Sequence, residues 1–342
     1  MEEGNINMKK RLLALISVIA ILLSGCQTKT NSSELEEFTI VLDWYPNAVH
    51  TFIYTAIDKG YYEEEGLKVN IQFPSNTNDA IWATAAGKVD AGIYYLHDLI
   101  VAKSNQDVAI KSIGAICQSP LNIFLSLKDK NILEPKDLIS KTIGYSGGEV
   151  SEAVIQYFVE KEGGNFESTT VIDVGFDLMS SMTTGNVDAT LGSMVNHEVP
   201  QMEKEGFEVN YFYPSDYGIP DYYELILITG DKQIEEKGEK LLKFIRASQR
   251  GFEDVKKNPE KALEILIENQ EAENFPLDID VERKSLEILL PVMEEEIPFL
   301  SQSSRVWIEN MQWLYDVGIA KKMLDISDMA VDLQYLGDVE EK

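Results

Sequence analysis

The sequence predicts two α/β lobes of one design, followed by a helical C-terminal third. A unit of strand, loop, helix, glycine and strand occurs twice, and Ile143 of the second copy lies 103 residues after Ile40 of the first. Each copy leads into a Gly-x-Val-Asp-Ala turn, which starts at Gly87 and again at Gly185. A repeated unit of this kind favours two similar lobes over one large domain.

The first copy also predicts where a ligand would bind. Residues 39–42 form a short apolar run typical of a strand, and the loop that follows is rich in polar and aromatic side chains. A helical segment then ends at Gly60, and a second strand starts at Leu67. A strand that runs directly into a helix places loop side chains and unpaired helix N–H groups at the carboxyl end of a parallel sheet. Open α/β sheets bind small molecules at this edge.

The rest of the chain supplies the remaining elements in order. Predicted helices lie at 78–86 and 151–162, and predicted strands lie at 89–95, 108–117, 123–127, 142–145, 170–174, 209–212 and 225–229. The strands 123–127 and 225–229 are expected to be the crossings between lobes. From residue 233 the pattern becomes helical, at 239–255, 259–269, 281–295 and 304–317. We therefore expect lobe 1 to comprise 38–124 and 226–342, with the helical third packed mainly on it, and lobe 2 to comprise 125–225.

The N-terminus predicts export and lipid attachment. Residues 9–11 are basic, residues 12–22 are apolar but too short to span a bilayer comfortably, and Leu-Ser-Gly precedes Cys26. This pattern is typical of a bacterial lipoprotein signal peptide, residues 1–25, with lipid on the Cys26 thiol; a plain anchor helix is the alternative. Residues 26–37 are polar without periodicity and are expected to form a tether.

Charge and residue counts exclude several classes of function. The 58 acidic and 30 basic residues give a net charge of −28, which argues against nucleic acid and anionic lipid as partners. With Cys26 lipidated, Cys117 has no partner and is interpreted as a small buried apolar residue. Three histidines without paired ligand spacing predict no metal site. We expect no cofactor, and we expect a monomer.

Short segments between residues 38 and 229 resemble a known family. They are LDWYPNAVHT (42–51), KGYYEEEGLKV (59–69), GKVDAGI (87–93), SPLN (119–122), IGYSGG (143–148), VGFDL (174–178), GNVDA (185–189), NHE (196–198) and YGIPDYYEL (217–225). In these segments the chain resembles the substrate-binding proteins of the family that includes the yeast thiamine-pyrimidine synthase, and most of all the pyrimidine-precursor-binding components of thiamine-salvage ABC transporters. The more specific signal for this family is the combination of two motifs, Asp-Trp-x-Pro-Asn-x-x-His and Pro-Asp-Tyr-Tyr-Glu. Sulfonate and nitrate binders share the Gly-x-Val-Asp-Ala turns.

The resemblance implies a type II periplasmic-binding-protein fold with two crossover strands. It also implies a 4-amino-2-methylpyrimidine ligand, such as hydroxymethylpyrimidine or formylaminopyrimidine, and delivery to an ABC permease and its ATPase. The chain departs from the synthase, whose cofactor-binding lysine would fall at Tyr94 and whose consumed histidine would fall at Asp98. The synthase's cysteine-rich, iron-associated run is replaced here by GIPDYYEL. Tyr94 cannot form a Schiff base, so we expect a binding protein and not an enzyme.

A site for a 4-aminopyrimidine needs an acceptor for the exocyclic amine, a polar group facing a ring nitrogen, and aromatic rings above and below the plane. The candidate residues are Asp43, Trp44, Asn47, His50, Tyr94, Tyr95, Gly147, Gly148, Asn196, Glu198, Tyr222, Tyr223 and Glu224. For Trp44 the alternative is a core residue, and for His50 it is a helix cap. The loop Ser146–Glu149, which contains Gly147 and Gly148, could cradle an anion with backbone N–H groups, but the candidate loops contain no Lys or Arg nearby, so a phosphate-bearing ligand is not expected.

Other functions remain open at this stage. The alternatives are a binding protein for another small heterocycle or a sulfonate, or a surface enzyme acting on a pyrimidine. A sulfonate binder should use Arg, Ser or backbone donors and not the carboxylates of Glu198 and Glu224. No hydrolase or ATPase motif is present in the sequence.

Overall fold

A computed structural model describes residues 35–270 and 276–333 of the protein. The predicted signal peptide, Cys26 and most of the predicted tether lie outside the described residues. The first strand begins at Glu36, so the last two residues of the predicted tether belong to the sheet. Glu37 tolerates this position because Lys68 on the neighbouring strand pairs with it at 2.9 Å.

The first sheet has the strand order β2-β1-β3-β10-β4. Its strands are β1 (Glu36–Val41), β2 (Leu67–Gln72), β3 (Ala91–Tyr94), β4 (Ile110–Cys117) and β10 (Leu225–Gly230). The pairs β1–β2 and β1–β3 are parallel, whereas β10 runs antiparallel to both of its neighbours.

The second sheet repeats this arrangement with the order β7-β6-β8-β5-β9. Its strands are β5 (Asn122–Leu127), β6 (Thr142–Tyr145), β7 (Thr170–Asp173), β8 (Ala189–Met194) and β9 (Val209–Phe212). Here β5 takes the position that β10 has in the first sheet and is antiparallel to β8 and β9. The predicted design of two α/β lobes is therefore confirmed.

The chain passes between the sheets twice, at 118–121 and at 213–224. The strands predicted as crossings, β5 and β10, are instead the first strands after each crossing, and both are inserted into the centre of a sheet. Gln118 anchors the first crossing, because its backbone N–H donates to Val292 O at 2.6 Å.

The helices that follow the strands are α1 (Thr51–Asp58), α2 (Tyr61–Glu64), α3 (Asp79–Ala85), α4 (Leu96–Gln106), α5 (Glu149–Lys161), α6 (Leu178–Thr183) and α7 (Glu198–Lys204). The C-terminal third contains α8 (Asp231–Lys257), α9 (Pro259–Glu268), α10 (Ile279–Met293), α11 (Ser304–Asp316) and α12 (Ile326–Met329). α8 packs against α1 at Gly251, where a Cβ would lie 2.3 Å from Phe52 O. No helix among the described residues is long and apolar enough to cross a membrane.

The aspartates of the two Gly-x-Val-Asp-Ala turns are structural. Asp90 accepts from the backbone N–H of Thr39 at 2.9 Å, and Asp188 accepts from that of Thr142 at 3.0 Å. Each carboxylate therefore fastens its turn to the start of the neighbouring strand, in equivalent places of the two lobes. Lysines neutralise both, since Lys240 lies 2.8 Å from Asp90 and Lys130 lies 2.8 Å from Asp188.

Candidate ligand-binding site

Four strand-to-helix junctions of the two lobes face one another, at 41–48, 94–96, 145–149 and 194–198. Two cavities lie between them. The first chamber encloses about 740 Å³ of empty space, part of it open to solvent, and is lined by Tyr94, Asp98, Asn122, Gly147, Gly148, Tyr222, Glu224 and their neighbours. The second chamber encloses about 430 Å³ and is lined by Asp43, Trp44, Asn47, Asn196, His197, Glu198 and mainly apolar neighbours. Tyr95, Gly192 and Met194 line both chambers.

Aromatic rings form much of the first chamber. The rings of Tyr94 and Tyr95 lie 5.2 Å apart, and the Tyr94 hydroxyl donates to Asn78 Oδ1 at 2.7 Å. On the other side the Tyr222 ring lies 4.3 Å from that of His97. Burial lowers the pKa of His97 to about 4, against the effect of a hydrogen bond with Asn310, so this ring is neutral at pH 7. The chamber thus offers flat, uncharged surfaces of the kind that stack on a planar heterocycle.

Two carboxyl groups, Asp98 and Glu224, face this chamber without a cation beside them. Burial raises the pKa of Asp98 to about 7, and repulsion from Glu224 adds to the effect. Burial also raises the pKa of Glu224, although the N–H groups of Asn122 and Leu121 act in the opposite direction. The described lining of both chambers contains no lysine or arginine. The site therefore favours a neutral or cationic ligand with hydrogen-bond donors.

Glu224 also has a structural role. Its Oε2 accepts from the backbone N–H groups of Leu121 at 2.7 Å and Asn122 at 2.8 Å, and its side chain is 2 % exposed. These donors belong to the first crossing and the start of β5. Glu224 consequently joins the end of the second crossing to the first.

The loop of Gly147 and Gly148 closes the chamber from lobe 2. Both glycines have positive φ, and a Cβ at Gly147 would lie 2.1 Å from Thr77 Oγ1 of lobe 1. A Cβ at Gly148 would lie 2.9 Å from Asp98 Oδ1. The Gly147 N–H donates to Asp173 at 3.1 Å, so this part of the suspected anion cradle is already occupied by a protein carboxylate.

In the second chamber Asp43 is held by His50. The His50 Nδ1 accepts from the backbone N–H of Asn47 at 3.2 Å, which leaves Nε2 to donate to Asp43 Oδ1 at 3.0 Å. This assignment makes the imidazole neutral, since one ring nitrogen must keep its lone pair. His50 therefore orients the Asp43 side chain. It is fully buried and does not line either chamber.

Glu198 is engaged by protein groups. Its Oε2 accepts from Met194 N–H at 2.8 Å, and its Oε1 lies 3.1 Å from His197 Nδ1. The other ring nitrogen of His197 lies 3.8 Å from Glu282 on α10. Burial by itself disfavours the imidazolium, but the two carboxylates outweigh it and raise the pKa of His197 to about 9. Glu198 is thus paired with a cation, which weakens the sequence argument that it accepts a ligand amine.

Trp44 contacts the opposite lobe. Its ring packs edge-on against Phe176 of lobe 2 at 4.5 Å, and the Tyr45 ring lies 4.9 Å from the same phenylalanine. Trp44 lines the second chamber and is only partly buried. It is therefore a cleft residue and not a core tryptophan.

The structure brings eleven of the thirteen candidate residues to the two chambers. The exceptions are His50 and Tyr223, whose hydroxyl accepts from Ser303 N–H at 2.7 Å outside the cleft. Asp98, Asn78 and Asn122 also line the first chamber, although they were not predicted as site residues from the sequence. Asp98 could have been found, because it lies in the first turn of a helix directly after a predicted strand. No group of three potential metal-ligating side chains occurs in the part of the chain that the structure describes.

Comparison with known proteins identifies the family. Residues 47–262 match the model of the NMT1/THI5-like family. The chain belongs to this family. It is 43% identical over 307 residues to the formylaminopyrimidine-binding protein of Halalkalibacterium halodurans, covering 89% of this chain and 92% of that one. It is 24% identical over 262 residues to the 4-amino-5-hydroxymethyl-2-methylpyrimidine phosphate synthase of Aspergillus parasiticus, covering 73% and 75%.

Solved structures with a similar fold include two binding proteins. The alkanesulfonate-binding protein SsuA from Xanthomonas axonopodis pv. citri, bound to MOPS, matches with a TM-score of 0.68 at 12% identity, over 88% of this chain and 100% of that one. The periplasmic aliphatic sulphonate binding protein SsuA from Escherichia coli matches with a TM-score of 0.64 at 14% identity, over 85% and 96%. The fold is therefore that of a periplasmic binding protein, as the sequence predicted.

The family contains both binding proteins and synthases, and this NMT1/THI5-like chain is a binding protein. The relative that is 43% identical is named for binding. The position that the resemblance assigns to the synthase's lysine is Tyr94, which is buried and bonded to Asn78. A phenol there cannot form the Schiff base that a lysine would.

Proposed function

We propose that this protein captures a 4-amino-2-methylpyrimidine thiamine precursor, foremost formylaminopyrimidine, between its two lobes. The main support is an aromatic chamber that contains two carboxyl groups and no cationic side chain among its described lining residues. An aminopyrimidine presents a flat ring with an N–H₂ donor beside a ring-nitrogen acceptor. Stacking on tyrosine faces and hydrogen bonding to carboxyl groups match both features.

In this proposal Asp98 and Glu224 bind different atoms of the pyrimidine. A carboxyl group that retains its proton near pH 7 can donate to a ring nitrogen, and a carboxylate can accept from the exocyclic amine. The pKa of about 7 makes Asp98 the donor. Glu224 is assigned as the acceptor, because the two backbone N–H groups that donate to its Oε2 oppose the rise in its pKa that burial causes. A sulfonate carries only acceptors and would face the charge of Glu224 without a compensating cation.

The second part of the proposal concerns location. The basic residues 9–11, the apolar run 12–22 and Cys26 support an extracytoplasmic protein that is anchored to the cell membrane by lipid. In that position it would deliver its ligand to an ABC permease driven by an ATPase. The test measures how much protein remains in the membrane fraction of cells that express Cys26→Ala. This variant should be released from the membrane and should still bind the ligand. Retention in the membrane would contradict the anchor.

Native mass spectrometry tests the ligand. Protein purified without unfolding should carry a small molecule with the mass of a substituted aminopyrimidine, and Asp98→Asn should carry less of it. A bound sulfonate, or consumption of the pyrimidine by the purified protein, would contradict the proposal. Asp79→Asn is the matched control, because this aspartate is also in the first turn of a helix but bonds only to its own loop.

A further inference from the structure

Asn196, a lining residue of the second chamber, has a buried polar atom without a partner. Asn196 is 3 % exposed, and its Nδ2 donates to Ser285 Oγ at 2.9 Å. Its Oδ1 is buried and has no hydrogen-bond partner in the described part of the chain. A buried acceptor without a donor costs free energy, so such atoms are rare unless something outside the protein binds them.

The groups near this atom are acceptors or are already engaged. The two carboxyl oxygens of Asp43 face His50 Nε2 at 3.0 Å and the Tyr95 hydroxyl at 3.5 Å. The Asn47 Nδ2 donates to Tyr45 O at 3.2 Å, and the two ring nitrogens of His197 face Glu198 and Glu282. The remaining side-chain donor in the described lining is the indole N–H of Trp44, which makes no hydrogen bond with Asn196. The Asn196 amide oxygen is therefore open to a donor from a ligand.

The position of the chamber restricts what that donor can belong to. It meets the first chamber at Gly192, which has no side chain, and at Tyr95 and Met194. Beside its polar residues, its other walls are apolar and include Val49, Leu121 and Leu289. A ring held in the first chamber can thus extend a short substituent past Gly192 into a small space where an N–H group finds a carbonyl oxygen.

We propose that the second chamber is a subsite for an amide N–H on the ligand's substituent, which donates to Asn196 Oδ1. The inference rests on the proposed function, since it places the pyrimidine ring in the first chamber. In this inference Asn196 makes the protein bind a ligand with a formylaminomethyl group more tightly than a ligand whose substituent has no hydrogen-bond donor.

The experiment compares two probes and two proteins by calorimetric titration. The probes are the formylaminomethyl pyrimidine and 4-amino-2,5-dimethylpyrimidine, which has a methyl group in place of the amide. The parent should prefer the first by about tenfold or more, the effect of one well-formed hydrogen bond with a buried acceptor. Asn196→Leu should lose most of this preference while its affinity for the dimethyl compound changes by less than about threefold. Asn196→Ala provides the same comparison if the leucine does not fit.

Stability separates this role from a structural one. Replacing Asn196 by leucine removes an unpartnered acceptor and also the donor to the buried Ser285 hydroxyl, two effects of opposite sign, so the ligand-free variant should unfold at about the same urea concentration as the parent. Asn258→Ala is the control, because that side chain caps α9 through Lys261 N–H and lies outside the chambers. It should lower stability and keep the preference. A full preference retained by both Asn196 variants overturns the inference alone, whereas a parent that binds neither probe overturns the proposed function and this inference with it.

Discussion

Replacement of Glu224 by alanine should destabilise the ligand-free protein. The side chain is 2 % exposed, and one of its oxygens accepts from two backbone N–H groups at 2.7 and 2.8 Å. Alanine leaves both donors without that acceptor, at about 1 to 3 kcal/mol each. Removal of a buried charge that repels Asp98 returns part of this free energy. We expect Glu224→Ala to lower the free energy of unfolding by about 2 to 4 kcal/mol.

Glutamine at the same position should cost far less. Its amide oxygen can still accept from Leu121 and Asn122, and only the charge assistance is lost, so about 1 kcal/mol is expected. Urea unfolding of ligand-free protein, followed by tryptophan fluorescence, measures both variants. Equal stability of the parent and Glu224→Ala would refute the structural role, and equal losses for both variants would refute the acceptor argument. Affinity should be compared only in Glu224→Gln, where the fold is preserved.

Three further predictions concern the pH dependence and the cleft. Asp98 ionises near 4 when unfolded and near 7 when folded, so the contribution of this group to stability is full below about pH 4 and falls by about 2 to 4 kcal/mol as the pH rises to 7; Asp98→Asn should remove this contribution in urea titrations at several pH values, and an unchanged pH dependence would contradict it. Gly147→Ala should weaken pyrimidine binding by about tenfold or more because its Cβ meets Thr77 across the cleft. Gly163→Ala has a similar φ and open space around it, so it should cost only about 1 kcal/mol of stability, and equal binding losses would exclude the clash. Trp44→Ala should cost about 1 to 3 kcal/mol of binding free energy by calorimetry, and an unchanged affinity would remove Trp44 from the site.

The repeated strand–loop–helix unit made the fold predictable from the sequence. The predicted and observed bounds of helices and strands differ where the local sequence pattern is weak. β6 and β9 have the predicted bounds because turn residues and polar positions flank short apolar runs. α8 starts at Asp231, several residues before the predicted helix. Its first turns have no clear apolar period because they carry many charged residues, and the backbone is non-helical at Lys237, so the sequence pattern predicted only the later part of the helix. The C-terminal helices also contact lobe 2, as Asn196 shows by its bond to Ser285 on α10. Such contacts across lobes have no local sequence signal.

Most of the residues that line the site could be predicted from the sequence, but the hydrogen-bond partners and orientations of their side chains could not. In the extended segment before β10, neighbouring side chains point to opposite sides, so Tyr222 and Glu224 face the cleft whereas Tyr223 faces Ser303. This alternation could have removed Tyr223 from the candidates. By contrast, the charge of His197, which pairs with Glu198, depends also on Glu282, a residue 84 positions after Glu198 in the chain. Only the folded structure shows that this carboxylate is already occupied.

The proposed function requires a cleft that binds an aminopyrimidine and not an anion. Ligand-stripped protein should be titrated calorimetrically with the formylaminomethyl pyrimidine, and separately with an alkanesulfonate. We expect saturable one-to-one binding of the pyrimidine and no measurable heat with the sulfonate. Tight binding of the sulfonate with no response to the pyrimidine would contradict it.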